Sequence, residues 1–340
     1  MLSEESLELI VQDHLAELEW QAGHGPDFAP GSGERDTWND IVLRGRLRNA
    51  VRNLNPGVPE EYLDQAIGEV ITPKSQSAIA ENRRIHQILV EGYRGIEYID
   101  HEGNFQNPTI NFLSSHPHKN DYLSLNQVTV ANLDGERRFD VVCYVNGMPL
   151  AFIELKKTGA NTSVEGAYNQ LQTYVKEFGM AFRFANIVIP SDDLSAKYGT
   201  PFTPWNHFAP WNVDEDGSPV DPNNMVVAGE PVTQLDLLLD GLFNVERFGQ
   251  LYSDFTAFDD TAEGLVMRIA KPHQYFAVTK AVGSTITAAR GDKRAGVIWH
   301  TTGAGKSMEM ELYAAKIMRR PEMLSPTVIV LNDRTELDEQ

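Results

Sequence analysis

Apolar positions near the start of the chain recur at helical spacing. Leu7, Ile10, Val11, Leu15 and Leu18 predict a helix over residues 3–20, with Ser3 as cap and Glu4 and Glu5 in the first turn. Residues 21–36 are rich in Gly, Pro and Asp and read as a loop. Helical patterning returns over 37–54 and, after Pro59, over 59–94, where Ile85, Ile88 and Leu89 close it. The period then changes. Strands are expected at Gly95–Ile99, Thr109–Leu113 and Tyr122–Val130. The clearest local signal follows: Phe139 to Val145 and Met148 to Lys156 flank Asn146-Gly147, the dipeptide that most strongly marks a β-hairpin. A helix at 163–178, a buried strand at Ala185–Pro190, a Pro/Gly/Asp/Asn-rich surface excursion at 199–233 and a helical stretch at Leu235–Leu242 complete the first unit. The boundary is expected within 255–265, dividing the chain into 1–258 and 259–340. In the second part, Ala295 to Trp299 reads as a strand, 308–319 as a helix and Thr327 to Leu331 as a second strand. The pattern is that of an α/β protein: a mixed sheet flanked by helices, followed by the start of a second α/β domain.

Length and composition narrow the picture. A chain of 340 residues suits about two domains. The longest apolar runs are strand-sized, too short to span a bilayer, and the acidic start Met1-Leu2-Ser3-Glu4-Glu5 lacks the features of a secretory signal, so no membrane association is expected. One cysteine, Cys143, excludes a disulfide framework and fits a cytoplasmic location. With 48 acidic and 29 basic side chains the net charge is −19, which argues against a general affinity for nucleic acid. Contact with DNA would need a local basic patch or a partner.

Candidate chemistry sits on the hairpin. Phosphodiester cleavage with Mg²⁺ needs hard oxygen ligands and a cation near the attacking water or the phosphate, and Asp140, Glu154 and Lys156 supply that set. Glu154 and Lys156 are two apart on a strand and share a face. Whether Asp140 joins them depends on register. A two-residue turn pairs 140 with 153 and turns Asp140 away. A three-residue turn with left-handed Gly147, or an equivalent bulge, brings it to the face of Glu154. The plain alternative is a hairpin with a solvated polar face. The following helix carries Gln170 and Tyr174 four residues apart, an amide and a phenol able to hold a DNA phosphate or order the site. Glu8 on the first helix is a further candidate carboxylate; an ordinary exposed helix glutamate is its alternative reading.

Phosphate-binding chemistry lies near the other end. His300-Thr301-Thr302-Gly303-Ala304-Gly305-Lys306-Ser307 stands between an expected strand and a helix, where a P-loop belongs. Gly303 and Gly305 would let the backbone around Thr302 and Ala304 curl about a β-phosphate. Lys306 would reach the β- and γ-phosphates of ATP, and Ser307 would ligate Mg²⁺. His300 departs from the usual Gly at the first position. Gln274, after Pro272, could pair with an adenine edge as donor and acceptor, or could simply be a polar residue at a helix start. After the second expected strand no later strand supplies an acidic Mg²⁺ ligand, a water-positioning group or an arginine finger. The chain is therefore expected not to turn over ATP alone, and to be the N-terminal part of a longer protein.

With these motifs in place the chain resembles the R subunit of type I restriction enzymes. The likeness runs through His118 to Gln127, Asp140, Asn146 to Leu150, Glu154 to Lys156, Gln170 to Tyr174, Tyr198 to Thr200, Trp211, Gln274, His300 to Ser307 and Asp333 to Asp338, the last resembling helicase motif Ia. His300 is usual in that family. The resemblance implies a PD-(D/E)xK nuclease fold in which Asp140 and Glu154 bind Mg²⁺ and Lys156 orients the water. It also implies the start of a RecA-like, superfamily 2 translocase that moves double-stranded DNA. The implied partners are methyltransferase (M) and specificity (S) subunits, which would supply the target site and much of the DNA grip. Three alternatives remain at this stage: an inactive docking module on an ATPase, a standalone metal nuclease, and a P-loop enzyme unrelated to DNA. An intact Asp140/Glu154/Lys156 set argues against the first, a coding frame ending at Gln340 would favour the second, and only the net charge supports the third.

Overall fold

The computed structural model describes residues 3–133, 135–157, 163–192, 194–221 and 225–331. Its centre is a five-stranded sheet formed by β1 (Gln21–His24), β2 (Tyr122–Asn132), β3 (Gly135–Val145), β4 (Met148–Leu155) and β5 (Ile187–Ser191), in that spatial order. The two inner ladders are antiparallel and the two outer ones parallel, so the sheet is mixed. Helices cover both faces. On one lie α1 (Glu4–Glu17), α2 (Arg44–Leu54), α3 (Glu60–Ile71), α4 (Ala78–Glu91), α6 (Gln234–Phe243) and α7 (Val245–Asp254). On the other lies α5 (Val164–Glu177). The alternation of β3 divides the core accordingly: Val141, Cys143 and Val145 pack with α1 and its neighbours, Val142 and Tyr144 with α5.

Helix α1 forms where its spacing predicts it. Ser3 accepts the Ser6 N–H as cap, and the buried stripe is Leu7, Glu8, Val11, Gln12 and Leu15. Two polar residues therefore stand on the apolar face. Gln12 resolves its burial by donating to the carbonyls of Gly23 (2.9 Å) and Ser124 (3.0 Å), which ties β1 to β2 and fixes the helix over the sheet.

Several expected boundaries move. Residues 21–24, read as loop, form the parallel edge strand β1, because Gln21 to His24 pair with Leu123 to Asn126. The helix expected from 37 starts only at Arg44; Ile41, Val42 and Leu43 are buried, and Leu43 donates to the Gly147 carbonyl (2.9 Å). The helix expected over 59–94 divides into α3 and α4 before Pro73, which disfavours helical backbone at the residue before it, and Ser77 caps the second half. Only Tyr98–Ile99 of the strand at 95–99 forms, and 109–113 keeps a single bridge, Ile110 to Tyr93.

A hairpin of β6 (Thr256–Thr261) and β7 (Gly264–Ile269) leads into α8 (Pro272–Arg290), and α9 (Lys306–Met318) packs beside it. The hairpin is fastened to the first unit by Arg83 on Asp260 (2.8 Å) and Thr256 on the Asn186 carboxamide (2.9 Å). Helix α9 is fastened to α7: the buried Lys316 pairs with Asp254 (3.0 Å) and lies 4.3 Å from the Phe255 ring centroid. The strands expected at 295–299 and 327–331 are not formed among the described residues, and Val297, Trp299 and Leu331 are about 90% exposed. Parallel strands with an apolar character need neighbours on both sides and layers on both faces, and among the described residues neither segment pairs with a strand. The Asp333 to Asp338 motif lies outside the described residues.

Candidate active site

The turn between β3 and β4 has two residues, not three. Asn146 (φ 52°) and Gly147 (φ 78°) are both left-handed, and Val145 pairs with Met148. Left alone, that register would turn Asp140 from Glu154. It shifts one step further: Tyr144 pairs with Pro149, but Cys143 pairs with Ala151, so Leu150 is an extra residue in β4. Pro149, which has no N–H for the ladder, stands beside this bulge, where proline is tolerated. Val141 then faces Ile153, and continuing the ladder sets Asp140 opposite Glu154. The Leu155 N–H donates to Asp140 Oδ2 at 2.7 Å and fixes the carboxylate there.

Asp140 also sits where the sheet changes face. Leu123 and Leu125 line the α5-side core, and so do Val128 and Val130; the same holds for Phe139 and then Val142. Strict alternation is broken once on each strand, at Gln127 and Asp140, which lie across from one another between the pairs Asn126–Val141 and Val128–Phe139. Gln127 is left-handed (φ 52°), a conformation that costs a non-glycine residue about 1–2 kcal/mol. The break leaves Asp140 between the two faces, and its charge is felt both by Glu154 on one side and by Glu8 on the other.

Burial dominates the electrostatics. Glu154 is 1% exposed, and loss of water together with the neighbouring Asp140 charge pushes its carboxyl up to about 8, against the pull of Lys156. Its Oε1 accepts from Lys156 Nζ at 3.2 Å, while the buried Oε2 has no hydrogen-bond partner among the described residues. Burial raises Asp140 as well, offset in part by the Leu155 N–H and Lys156. Burial works against the charge of Lys156, but Glu154 and Asp140 hold it above the ordinary lysine range. Glu8 is pushed up to about 7 by burial and Asp140, and accepts from Asn126 Nδ2 at 3.3 Å. From α5, the Gln170 amide donates to the Tyr174 hydroxyl, whose phenol is raised by burial and by the Glu154 charge. The site thus gathers Glu8, Asp140, Glu154, Lys156 and the Gln170–Tyr174 pair. Asn126 and Gln127 join them without having been assigned a role from the sequence. The signal was available: Ser124, Asn126, Gln127 and Thr129 interrupt the apolar run from Tyr122 to Val130, and only Asn126 and Gln127 are adjacent.

The Asn146-Gly147 motif and Asn120-Asp121 serve the fold. Asn146 Oδ1 accepts from the Asp121 N–H (2.8 Å), and its Nδ2 donates to Phe112 O (2.8 Å) and Asn120 Oδ1 (2.9 Å). Arg46 holds Asp121 at 2.7 Å. Tyr198 and Trp211 are also structural: the former donates to Ala270 O (2.7 Å), the latter packs on Gly241.

At the glycine loop, Gly303 and Gly305 are both left-handed (φ 82°), and α9 starts at Lys306. Lys306 Nζ donates to the carbonyls of His300 (3.1 Å) and Thr301 (2.9 Å). Gln274 is buried and uses both ends of its amide: Oε1 accepts from the Lys271 N–H (2.8 Å), and Nε2 donates to Ala304 O and Gly305 O (3.3 Å each). It therefore grips the loop itself. Thr302 is exposed within the loop, and Ser307 lies in the first turn of α9.

A mixed α/β unit with a buried carboxylate–lysine centre, joined to a glycine loop that opens a helix, defines the class. Residues 1–207 match the family model described as type I restriction enzyme R protein N terminus, and 273–340 match that of the SWI2/SNF2 ATPase. The chain belongs to the type I restriction enzyme R protein N-terminal family. It is similar to the type I restriction enzyme HindI endonuclease subunit of Haemophilus influenzae, 32% identical over 100% of this chain and 32% of the relative. The MjaIXP endonuclease subunit of Methanocaldococcus jannaschii, provisionally described as a type I restriction enzyme, is 30% identical over 96% of this chain and 32% of its own length. The SauCOLORF180P endonuclease subunit of Staphylococcus aureus is 26% identical over 65% of this chain and 22% of its own. The chain spans about a third of the length of the first two relatives. No helix among the described residues is long and apolar enough to cross a membrane.

Proposed function

We propose that this chain is the N-terminal part of the restriction subunit of a type I restriction-modification enzyme. In this reading a PD-(D/E)xK-type unit, residues 1–258, cleaves double-stranded DNA with Mg²⁺, and residues 259–340 open the first RecA-like domain of an ATP-driven superfamily 2 translocase. The division falls in β6. One observation carries the reading: the Leu150 bulge sets Asp140 against Glu154, with Lys156 on the latter.

The donor set suits a hard divalent cation. Asp140 and Glu154 flank the Lys156 ammonium, Glu8 lies on the other side of Asp140, and the buried Glu154 Oε2 has no partner among the described residues. Asp140 and Glu154, supported by Glu8, would hold Mg²⁺, which when bound polarises the scissile phosphate and acidifies an attacking water. Lys156, anchored on Glu154, is placed to orient that water and to offset charge building on the phosphorane oxygens. Gln170 and Tyr174 would hold a neighbouring phosphate. At the loop, the backbone from Thr302 to Gly305 with Lys306 would cradle ATP and Ser307 its Mg²⁺. For Gln274 to read adenine, its amide must leave Ala304 and Gly305. The net charge of −19 is consistent with M and S subunits providing most of the DNA grip.

The test is cation binding to this chain. Glu154 and Glu8, at about 8 and 7, keep protons at neutral pH that ordinary carboxyls would have lost. Carboxyls raised in this way stabilise the cation-free fold below the ordinary carboxylate range, a contribution lost as pH rises through 7 and 8. A cation needs them deprotonated. Mn²⁺ binding at pH 7 should therefore release about one proton or more, and tighten as pH rises toward 8. Calorimetry in buffers of different ionisation enthalpy measures the release. Binding without protons, or binding untouched by Glu154→Gln, would remove the metal site. For the loop, Lys306→Ala should weaken binding of a fluorescent ATP analogue about 10- to 100-fold, the worth of a charge-assisted hydrogen bond. Unchanged affinity would take the loop out of the reading.

A further inference from the structure

A second group of donor side chains lies away from the carboxylate centre. His273 is the second residue of α8, His300 opens the glycine loop and Glu309 lies in the first turn of α9; one ligand atom from each falls within 4.8 Å of the others. The two imidazoles stand edge to face with centroids 5.3 Å apart. His300 Nδ1 is 2.7 Å from Glu309 Oε1, and Glu309 is 3% exposed, so its carboxylate has little water to turn to. His273 Nε2 donates to Ala304 O at 2.9 Å. None of the three belongs to the Gly-x-Gly-Lys-Ser signature, and phosphate binding leaves them without a task.

Two imidazoles and a carboxylate from three separate elements make the donor set of borderline divalent ions. Mg²⁺ prefers oxygen donors alone, whereas Zn²⁺, Co²⁺ and Ni²⁺ take imidazole nitrogen readily. We propose that His273, His300 and Glu309 form a binding site for a zinc-class divalent cation that braces the phosphate loop. Tetrahedral ligands at about 2.0–2.1 Å from the ion lie roughly 3.3 Å from one another, so the group, spread over up to 4.8 Å, must contract by up to about 1.5 Å at its widest. Rotation of the half-buried His273 ring supplies that movement. The ion takes the place of the hydrogen bond between His300 and Glu309. Three protein ligands leave a fourth position for water or another small donor. Because His300 and Ala304 lie on either side of Gly303, an ion there ties the loop to both flanking helices.

The test uses the chain titrated with Co²⁺ and then Zn²⁺. Co²⁺ in a tetrahedral nitrogen-containing site absorbs strongly in the visible, and Zn²⁺ bleaches the band. The centre at Asp140 and Glu154 offers only oxygen donors among its carboxylates and gives a weak octahedral spectrum. A single strongly absorbing equivalent is expected. It should be weakened on the order of 100-fold by His273→Asn, His300→Asn or Glu309→Gln, and left unchanged by Glu154→Gln. Glu309→Gln retains a hydrogen-bonding side chain for His300, and His273→Asn alters a half-buried ring, so at least these two variants should melt with the parent. Absence of the strong band overturns the proposal. So does a band that persists in all three variants, which would assign it to others of the nine histidines.

Discussion

Replacing Glu154 or Asp140 by Ala should reduce DNA cleavage by the assembled enzyme by about 10³-fold or more, while its ATPase activity stays near that of the parent. The expectation rests on the proposed nuclease reading. A cation that stabilises transition-state charge contributes several kcal/mol, and each 1.36 kcal/mol is a factor of ten in rate. Asp140 and Glu154 share that task across one ladder position, so either loss should remove most of it, and the double variant should be little worse than either single one. ATPase retention separates lost chemistry from lost folding, because the hairpin β6–β7 and α9 are fastened to the same unit. Parallel loss of both activities would point to misfolding, and full cleavage by Glu154→Ala would end the assignment. Glu154→Gln sharpens the test in the opposite direction. It removes a buried acid whose ionisation the fold resists, so at pH 9 this variant should be more stable than the parent by about 1–3 kcal/mol while inactive. Thermal melts at pH 6 and pH 9 would show it, since the gain should shrink at the lower pH.

Gly147→Ala should be the most damaging single methyl group in the first unit, costing about 3 kcal/mol or more in a denaturant titration. Two effects add. The residue is left-handed (φ 78°), which costs about 1–2 kcal/mol for an L side chain. A Cβ there would also stand 2.4 Å from Leu43 O and 2.7 Å from Leu47 N, backbone atoms at the start of α2 that cannot turn aside. Gly147→Asn separates the terms, because asparagine tolerates the left-handed region but carries the same Cβ. Both variants should be similarly unstable. A near-normal Asn variant would mean that conformation, not space, governs the turn, and a loss below about 1 kcal/mol for Ala would refute both terms.

How far the sequence could be read depended on how local each signal was. The Asn146-Gly147 turn is set by its own backbone requirement and forms where expected, and Gly303 and Gly305 are both left-handed, although the strand expected before them is not formed among the described residues. The register that matters for Asp140 was legible only as a condition. The turn and the bulge were alternatives on paper; the structure combines a two-residue turn with an extra Leu150. Strand β1 was missed because Gln-Ala-Gly-His has little β character of its own and pairs with a segment a hundred residues away. Residues 41–43 looked helical because buried apolar runs do not reveal their period; the Leu43 N–H is committed to Gly147 instead. The position of Glu8 rested on tertiary context. Its place among Leu7, Val11 and Leu15 fits either a buried acid or an edge residue, and only the α1 docking through Gln12 decides.

Helix α9 joins two ends with different duties. Its first residue is Lys306 of the glycine loop, and Lys316, ten residues on, is seated on Asp254 and Phe255 of the other unit. At 1.5 Å per residue these points are about 15 Å apart along a stiff rod. Tilting that rod by roughly 10° about its loop end carries the far end about 2.6 Å, comparable to the length of the contact it makes there. The ion pair and the loop therefore behave as the two ends of a lever, and a rearrangement at one is registered as a distance at the other.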